Sequence, residues 1–166
     1  MVSFANEDLY RSAAGPDAAE IDERTRVFWR PYHEALQGEL ARLHALHGRA
    51  VLWEGHSIRS HVPMLFDGRL PDLNLGTAAG TSCAVELQTK LQTILQLQLR
   101  YTHAVNGRFK GGYITRHYGA PERGVSAVQM EIAQCNYMDE DSFEYRPKRA
   151  ELLQPLLREM LIAALL

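Results

Sequence analysis

At 166 residues and 18.8 kDa the chain is long enough for one domain with a proper core, and its 46% hydrophobic content agrees with a globular fold. A formal net charge of -2 and a pI near 6.4 exclude a whole-molecule field that would gather nucleic acid or an anionic membrane, so any basic patch has to be local. No apolar run approaches the roughly 20 residues of a membrane span, and Cys83 and Cys135, without CxxC spacing, argue against a disulfide framework or a zinc knuckle.

Residues 1–16 are poor in apolar side chains and end in Ala13-Ala14-Gly15-Pro16, which reads as a flexible arm. The start Met1-Val2-Ser3-Phe4-Ala5-Asn6-Glu7-Asp8 is acidic where a signal peptide is basic and then apolar, so the expected compartment is the cytoplasm. Residues 17–166 read as a single α/β domain. From Asp17 the spacing of Ile21, Val27, Tyr32, Leu36, Leu40 and Leu43 predicts helix up to Gly48, with Pro31 ending or kinking a first piece near Arg30. Ala50-Val51-Leu52-Trp53 predicts a buried strand whose C-terminal end is Glu54-Gly55-His56-Ser57. Residues 57–82, with Pro63, Gly68, Pro71, Gly76 and Gly80, read as a long irregular excursion of the kind kept for function.

The firmest helix runs from Ala84 to Leu99, with Leu87, Leu91, Leu95 and Leu99 on one face and Ser82 as its N-cap. Tyr101 to Val105 and Val125 to Ile132 read as strands, and Lys148 to Leu166 closes the chain as a helix containing Pro155. This order predicts α/β layers without internal repeats.

Between the last two strands lies Asn106-Gly107-Arg108-Phe109-Lys110-Gly111-Gly112-Tyr113-Ile114-Thr115-Arg116-His117-Tyr118-Gly119, three cations and a histidine among four glycines and three aromatics. Glycine allows backbone to approach a ligand, and Arg108 and Arg116 can each fork two hydrogen bonds onto a carboxylate or phosphate. The alternative is a cationic hairpin facing solvent. In open α/β sheets ligands bind beyond the carboxyl ends of the strands, which directs attention to His56 and to Glu131. His56 is a candidate metal ligand, with an ordinary strand-capping histidine as the alternative. Glu131, between Met130 and Ile132, is either a general base or half of a core ion pair. His44 and His47 lack an acid at matching spacing, and neither Ser57 nor the cysteines sit in a nucleophile motif.

Trp29-Arg30-Pro31-Tyr32-His33, Gly55-His56-Ser57-Ile58, Leu65-Phe66-Asp67-Gly68 with Leu70-Pro71-Asp72-Leu73-Asn74-Leu75-Gly76, the segment 106–119, and Gln129-Met130-Glu131-Ile132 with Tyr137-Met138 together resemble the N-formylglutamate amidohydrolase family. The likeness runs from about Leu9 onward and covers the family's C-terminal part only. It implies a three-layer α/β/α fold similar to the metallo-carboxypeptidases, the zinc exopeptidase type, and zinc-dependent hydrolysis of N-formyl-L-glutamate to formate and L-glutamate in histidine degradation.

On this resemblance His56 corresponds to the metal-ligating histidine, Glu131 to the general base and acid, and Arg108 to a catalytic or carboxylate-binding cation. Arg116 would share the two carboxylates of the substrate, with Asn106 and Arg59 as secondary contacts. The family usually has an aspartate two residues before the ligating histidine, where this chain has Glu54. The resemblance implies a preceding segment that supplies the other metal ligands; with no His-x-x-Glu pair in these residues, His56 alone is not expected to complete a three-ligand site. The expected partner is therefore a small molecule, with no nucleic acid and no membrane, and a homo-oligomer is left open. Rival readings are a catalytically dead remnant that binds glutamate-like dicarboxylates, an amidohydrolase for another N-acyl amino acid, and a single-strand nucleic-acid module stacking bases on Phe109, Tyr113 and Tyr118, against which the net acidity speaks.

Overall fold

The structure, a computed structural model, describes residues 2–3, 7–10 and 15–165. Much of the expected arm, residues 1, 4–6 and 11–14, lies outside the described residues, as does the last residue of the closing helix. The chain forms two compact units, Met1–Arg42 and Leu43–Leu166, and the division falls inside a helix.

In the first unit Asp17 caps helix α1 (Ala18–Arg24) by accepting a hydrogen bond from the Glu20 backbone N–H at 2.8 Å. The expected break at Pro31 takes the form of a widened π turn over Thr25–Trp29, after which α2 (Arg30–His47) continues. Proline lacks an N–H and its ring crowds the carbonyl four residues back. The turn before it relaxes outward, and the Arg30 N–H reaches Thr25 five residues behind.

The second unit is built on a four-stranded sheet in the order β1-β4-β2-β3, from β1 (Ala50–Ile58), β2 (Leu73–Gly76), β3 (His103–Val105) and β4 (Val125–Ala133). β1 runs parallel to β4, β4 antiparallel to β2, and β2 parallel to β3. This is a mixed α/β fold. β1 runs through its expected end at Glu54-Gly55-His56-Ser57 to Ile58, so Glu54 and His56 are strand residues. One expectation needs correction here. The stretch 57–82 is not irregular throughout, because it contains β2, an interior strand with all four residues buried. Asp72 fixes its start, accepting hydrogen bonds from the Thr102 N–H and hydroxyl at 2.9 and 2.7 Å and from Arg69 at 2.6 Å.

Side chains alternate across a strand, so the register sorts the sheet into two faces. One carries Leu73, Leu75, Val128 and Met130, packed with Leu91 and Leu95 of α3 (Val85–Leu97) and with Leu153, Leu156 and Met160 of α5 (Pro147–Leu165). Pro155 is exposed inside α5. An interior proline costs about 3 kcal/mol, whereas each buried Leu or Met on the opposite side contributes about 1.5–3 kcal/mol, so packing carries the helix through. Ser82 is not the cap of α3. The helix starts from Ala84, and buried Ser82 instead donates its hydroxyl to the Ala127 carbonyl at 2.8 Å, because β4 lies within reach before the helix begins. Leu99 lies past the helix end and is 98% exposed.

Candidate functional site

The other face of the sheet is polar. Parallel pairing sets Glu54 opposite Gln129 and His56 opposite Glu131, while antiparallel pairing sets Asn74 opposite Glu131. Glu54, His56, Gln129, Glu131 and Asn74 therefore share one face, and the last three are buried. The Gly-rich stretch and helix α4 (Tyr113–Tyr118) close over part of it, with α4 lying against β1 and β4.

Burial pushes the Glu131 carboxyl above its ordinary value; the charge of His56 opposes this, Glu54 reinforces it, and a hydrogen bond from Gln129 opposes it. Gln129 donates to Glu131 across 3.4 Å, and its amide oxygen accepts the Gly112 N–H at 2.7 Å. The Gly112 bond decides which end of the amide faces the carboxylate. His56, on the exposed side, shares Nε2 with Glu54 at 2.8 Å, and the other oxygen of Glu54 accepts the hydroxyl of buried Thr115 at 2.7 Å. Asn74 donates to the carbonyls of Pro71 and Glu131, at 2.8 and 3.2 Å, and its own Oδ1 has no partner among the described residues.

Two glycines shape the stretch that follows β3. A Cβ at Gly76 would lie 2.6 Å from the Lys110 carbonyl carbon, so only glycine lets the loop pass over the end of β2. Gly111 has φ +115 and leaves no room above Thr115, whose methyl carbon would sit 2.7 Å from an added Cβ.

The structure brings His56 and Glu131 together as cross-strand neighbours. Arg59 pairs with Asp141 at 3.0 Å, Arg116 donates to the Gly111 carbonyl at 2.6 Å, and exposed Arg108 pairs with no carboxylate among the described residues. Asn106 is committed to scaffolding: at φ +51 its oxygen accepts the N–H groups of Thr77 and Ala79 at 2.8 and 3.2 Å, and its NH2 donates to the Thr77 hydroxyl at 2.8 Å. Its amide oxygen is thus taken up, and the secondary substrate contact expected of it would fall to the second N–H of its NH2 group.

Thr115 and Gln129 are the members of the site that reasoning from sequence passed over. Gln129 had a signal, because it stands two positions before Glu131 and so shares its face. Thr115 had none, since its hydroxyl matters only once α4 reaches β1. For a metal, His56 offers one imidazole nitrogen, Nδ1, with Nε2 turned to Glu54. The described residues hold no group of three His, Cys, Asp or Glu arranged to bind an ion, so they do not make a metal site by themselves. Among the described residues no helix is long and apolar enough to cross a membrane.

A sequence model described as N-formylglutamate amidohydrolase matches residues 2–138. The N-formylglutamate deformylase of Pseudomonas aeruginosa is 53% identical over 159 residues, covering 95% of this chain and 60% of that protein. That of Pseudomonas putida is 47% identical over 163 residues, covering 98% and 61%. The crystal structure of an N-formylglutamate amidohydrolase from Ralstonia eutropha superposes with a TM-score of 0.75 at 28% identity, covering 88% of this chain and 54% of that one. The chain thus spans 60% and 61% of the length of these two deformylases.

Proposed function

The chain belongs to the N-formylglutamate amidohydrolase family, and on that premise we propose that it carries the general base and part of the substrate site for hydrolysis of N-formyl-L-glutamate to formate and L-glutamate. The observation that carries this reading is the pairing of a buried Glu131, its carboxyl raised above the ordinary value, with His56 across one strand. A carboxylate of raised pKa is suited to take a proton from the attacking water and return it to the leaving amine. The water C–O bond forms first, giving a tetrahedral oxyanion; the formyl C–N bond then breaks as the proton passes to the glutamate nitrogen. Arg108, exposed and with no carboxylate partner among the described residues, is available to a substrate carboxylate or to the developing oxyanion. Arg116 and Arg59, each with one nitrogen on its present partner, keep further N–H donors with which they could join it.

Zinc belongs to the proposal in a limited way: His56 would supply one ligand, and the others would come from outside the described residues. When bound, such an ion would polarise the formyl carbonyl and acidify water. The three-layer, zinc-exopeptidase-like frame is likewise proposed, supported by α3 and α5 on one face of the sheet and α4 on the other. A second reading, a remnant that binds glutamate-like dicarboxylates without turnover, draws on the lack of a three-ligand group among the described residues.

Formate release from N-formyl-L-glutamate, with calorimetric titration of L-glutamate in parallel, tests these readings. The enzyme reading expects turnover that Glu131→Gln lowers by about 10²–10⁴-fold. Glutamate binding without formate release selects the remnant. Neither binding nor turnover overturns both. Release of formate from N-formylglutamate slower than release of acid from other N-acyl amino acids would move the substrate assignment.

A further inference from the structure

Helix α4 is tied to the sheet by a relay that ends on His56. We propose that Thr115 is a positioning residue whose hydroxyl holds Glu54 so that the His56 proton stays on Nε2 and Nδ1 faces outward for a ligand. This rests on the proposed function only for what binds at Nδ1; the relay stands without it.

Glu54 gives one oxygen to each partner, Oε2 to the Thr115 hydroxyl at 2.7 Å and Oε1 to His56 Nε2 at 2.8 Å. A carboxylate only accepts, so both partners donate, and a neutral imidazole with its proton on Nε2 keeps its lone pair on Nδ1. Glutamate has enough rotamer freedom to leave the exposed imidazole for solvent. The fully buried Thr115 hydroxyl restrains it, because that hydroxyl would lose its partner if Glu54 turned away.

The rest of Thr115 acts in the opposite direction. Its methyl lies against Gly111, where a Cβ could not fit, and so seats the loop that begins with Asn106 and carries Arg108. A parallel bond from Gly112 to Gln129 reaches Glu131. Both groups named for catalysis are thereby referred to the same helix start. The hydroxyl and the methyl have separate duties, which valine and serine pull apart.

The test is heteronuclear NMR of the ¹⁵N-imidazole-labelled chain at a pH where the rings are neutral, with His56 assigned by the resonance missing from His56→Gln. The unaltered chain should show the Nε2–H form essentially alone, Thr115→Val should admit the minor Nδ1–H form that a free imidazole carries in water, and Thr115→Ser should exclude it. Glu54→Gln adds a test at the carboxylate itself: with Thr115 donating to the amide oxygen, the amide NH2 faces His56 and the tautomer should invert to Nδ1–H. An unaltered chain without the Nε2–H form, a Thr115→Val ring identical to it, a Thr115→Ser ring that behaves like valine, or a Glu54→Gln ring that does not invert would each overturn the proposal. Should Thr115→Val fail to fold by circular dichroism, the Glu54→Gln inversion decides. Formate release by the unaltered chain is read separately, so the amidohydrolase reading and the relay can fail independently.

Discussion

Gly76→Ala is the sharpest steric test of how the site is assembled. The added Cβ would meet three backbone atoms, the Lys110 carbonyl carbon at 2.6 Å, the Gly111 nitrogen at 2.7 Å and the Lys110 oxygen at 2.9 Å. None is the end of a side chain that can swing aside, so the strand end or the loop has to move. Overpacking of this kind costs about 1–3 kcal/mol. The Lys110 carbonyl also accepts the Ala78 N–H at 2.6 Å, and loss of that bond adds about 1 kcal/mol. The expected destabilisation is therefore about 2–4 kcal/mol, or about 4–16 °C in Tm at 2–4 °C per kcal/mol for a chain of this size. Gly38→Ala is the control. It lies inside α2 with nothing within 4 Å of its Cβ position, and there alanine should stabilise by about 0.5–1 kcal/mol. Urea titration of both variants provides the comparison. If Gly76→Ala unfolds at the same or a higher urea concentration than the unaltered chain, the close packing of the loop on β2 is refuted.

Asn106→Ala should cost about 2–4 kcal/mol in the same titration, from three hydrogen bonds and a positive φ. Asn106→Gly should recover only the part due to φ, and equal costs for the two would show that the backbone angle contributes nothing. Glu131 offers a pH test. Its folded pKa is raised, so between the unfolded and folded values the folded state binds more protons and stability falls as pH rises through that window. Glu131→Gln should therefore be more stable than the unaltered chain near neutral pH, with the gap closing below about pH 4, where the unfolded carboxyl is protonated too. A gap that widens on acidification would contradict the direction of the shift.

Where an element buries a long, regular apolar pattern, the sequence was enough. Leu91 and Leu95, then Val128 and Met130, then Leu153, Leu156 and Met160 mark α3, β4 and α5 at the right periods, because burial against a common core is what those patterns encode. β2 escaped because the four residues Leu73–Gly76 carry too little periodicity, and an asparagine in the middle of a buried strand reads as a loop. β1 reaches one residue past its expected end at Ser57. Its second half alternates Glu54 and His56 with Gly55 and Ser57, polarity that belongs to one face of a continuing strand. Glu131 stood out as a charge within an apolar strand. The cations could be found by composition, but their pairing with Asp141 and with the Gly111 carbonyl depends on contacts that spacing does not encode.

Glu54 shows how a departure from the pattern of the resemblance is accommodated. An aspartate at that position would be one C–C bond shorter, about 1.5 Å. In this chain the carboxylate bridges two elements, with Thr115 of α4 on one oxygen and His56 of β1 on the other, both within 2.8 Å. A shorter side chain could keep both contacts only if α4 came closer to β1, and Gly111 already fits tightly over Thr115. The longer acid and the glycine are thus parts of one arrangement: side-chain length fixes how far α4 stands from the sheet, and the missing Cβ lets the loop close at that distance. The departure at position 54 is therefore compatible with an oriented His56, provided Thr115 is present to take up the added reach.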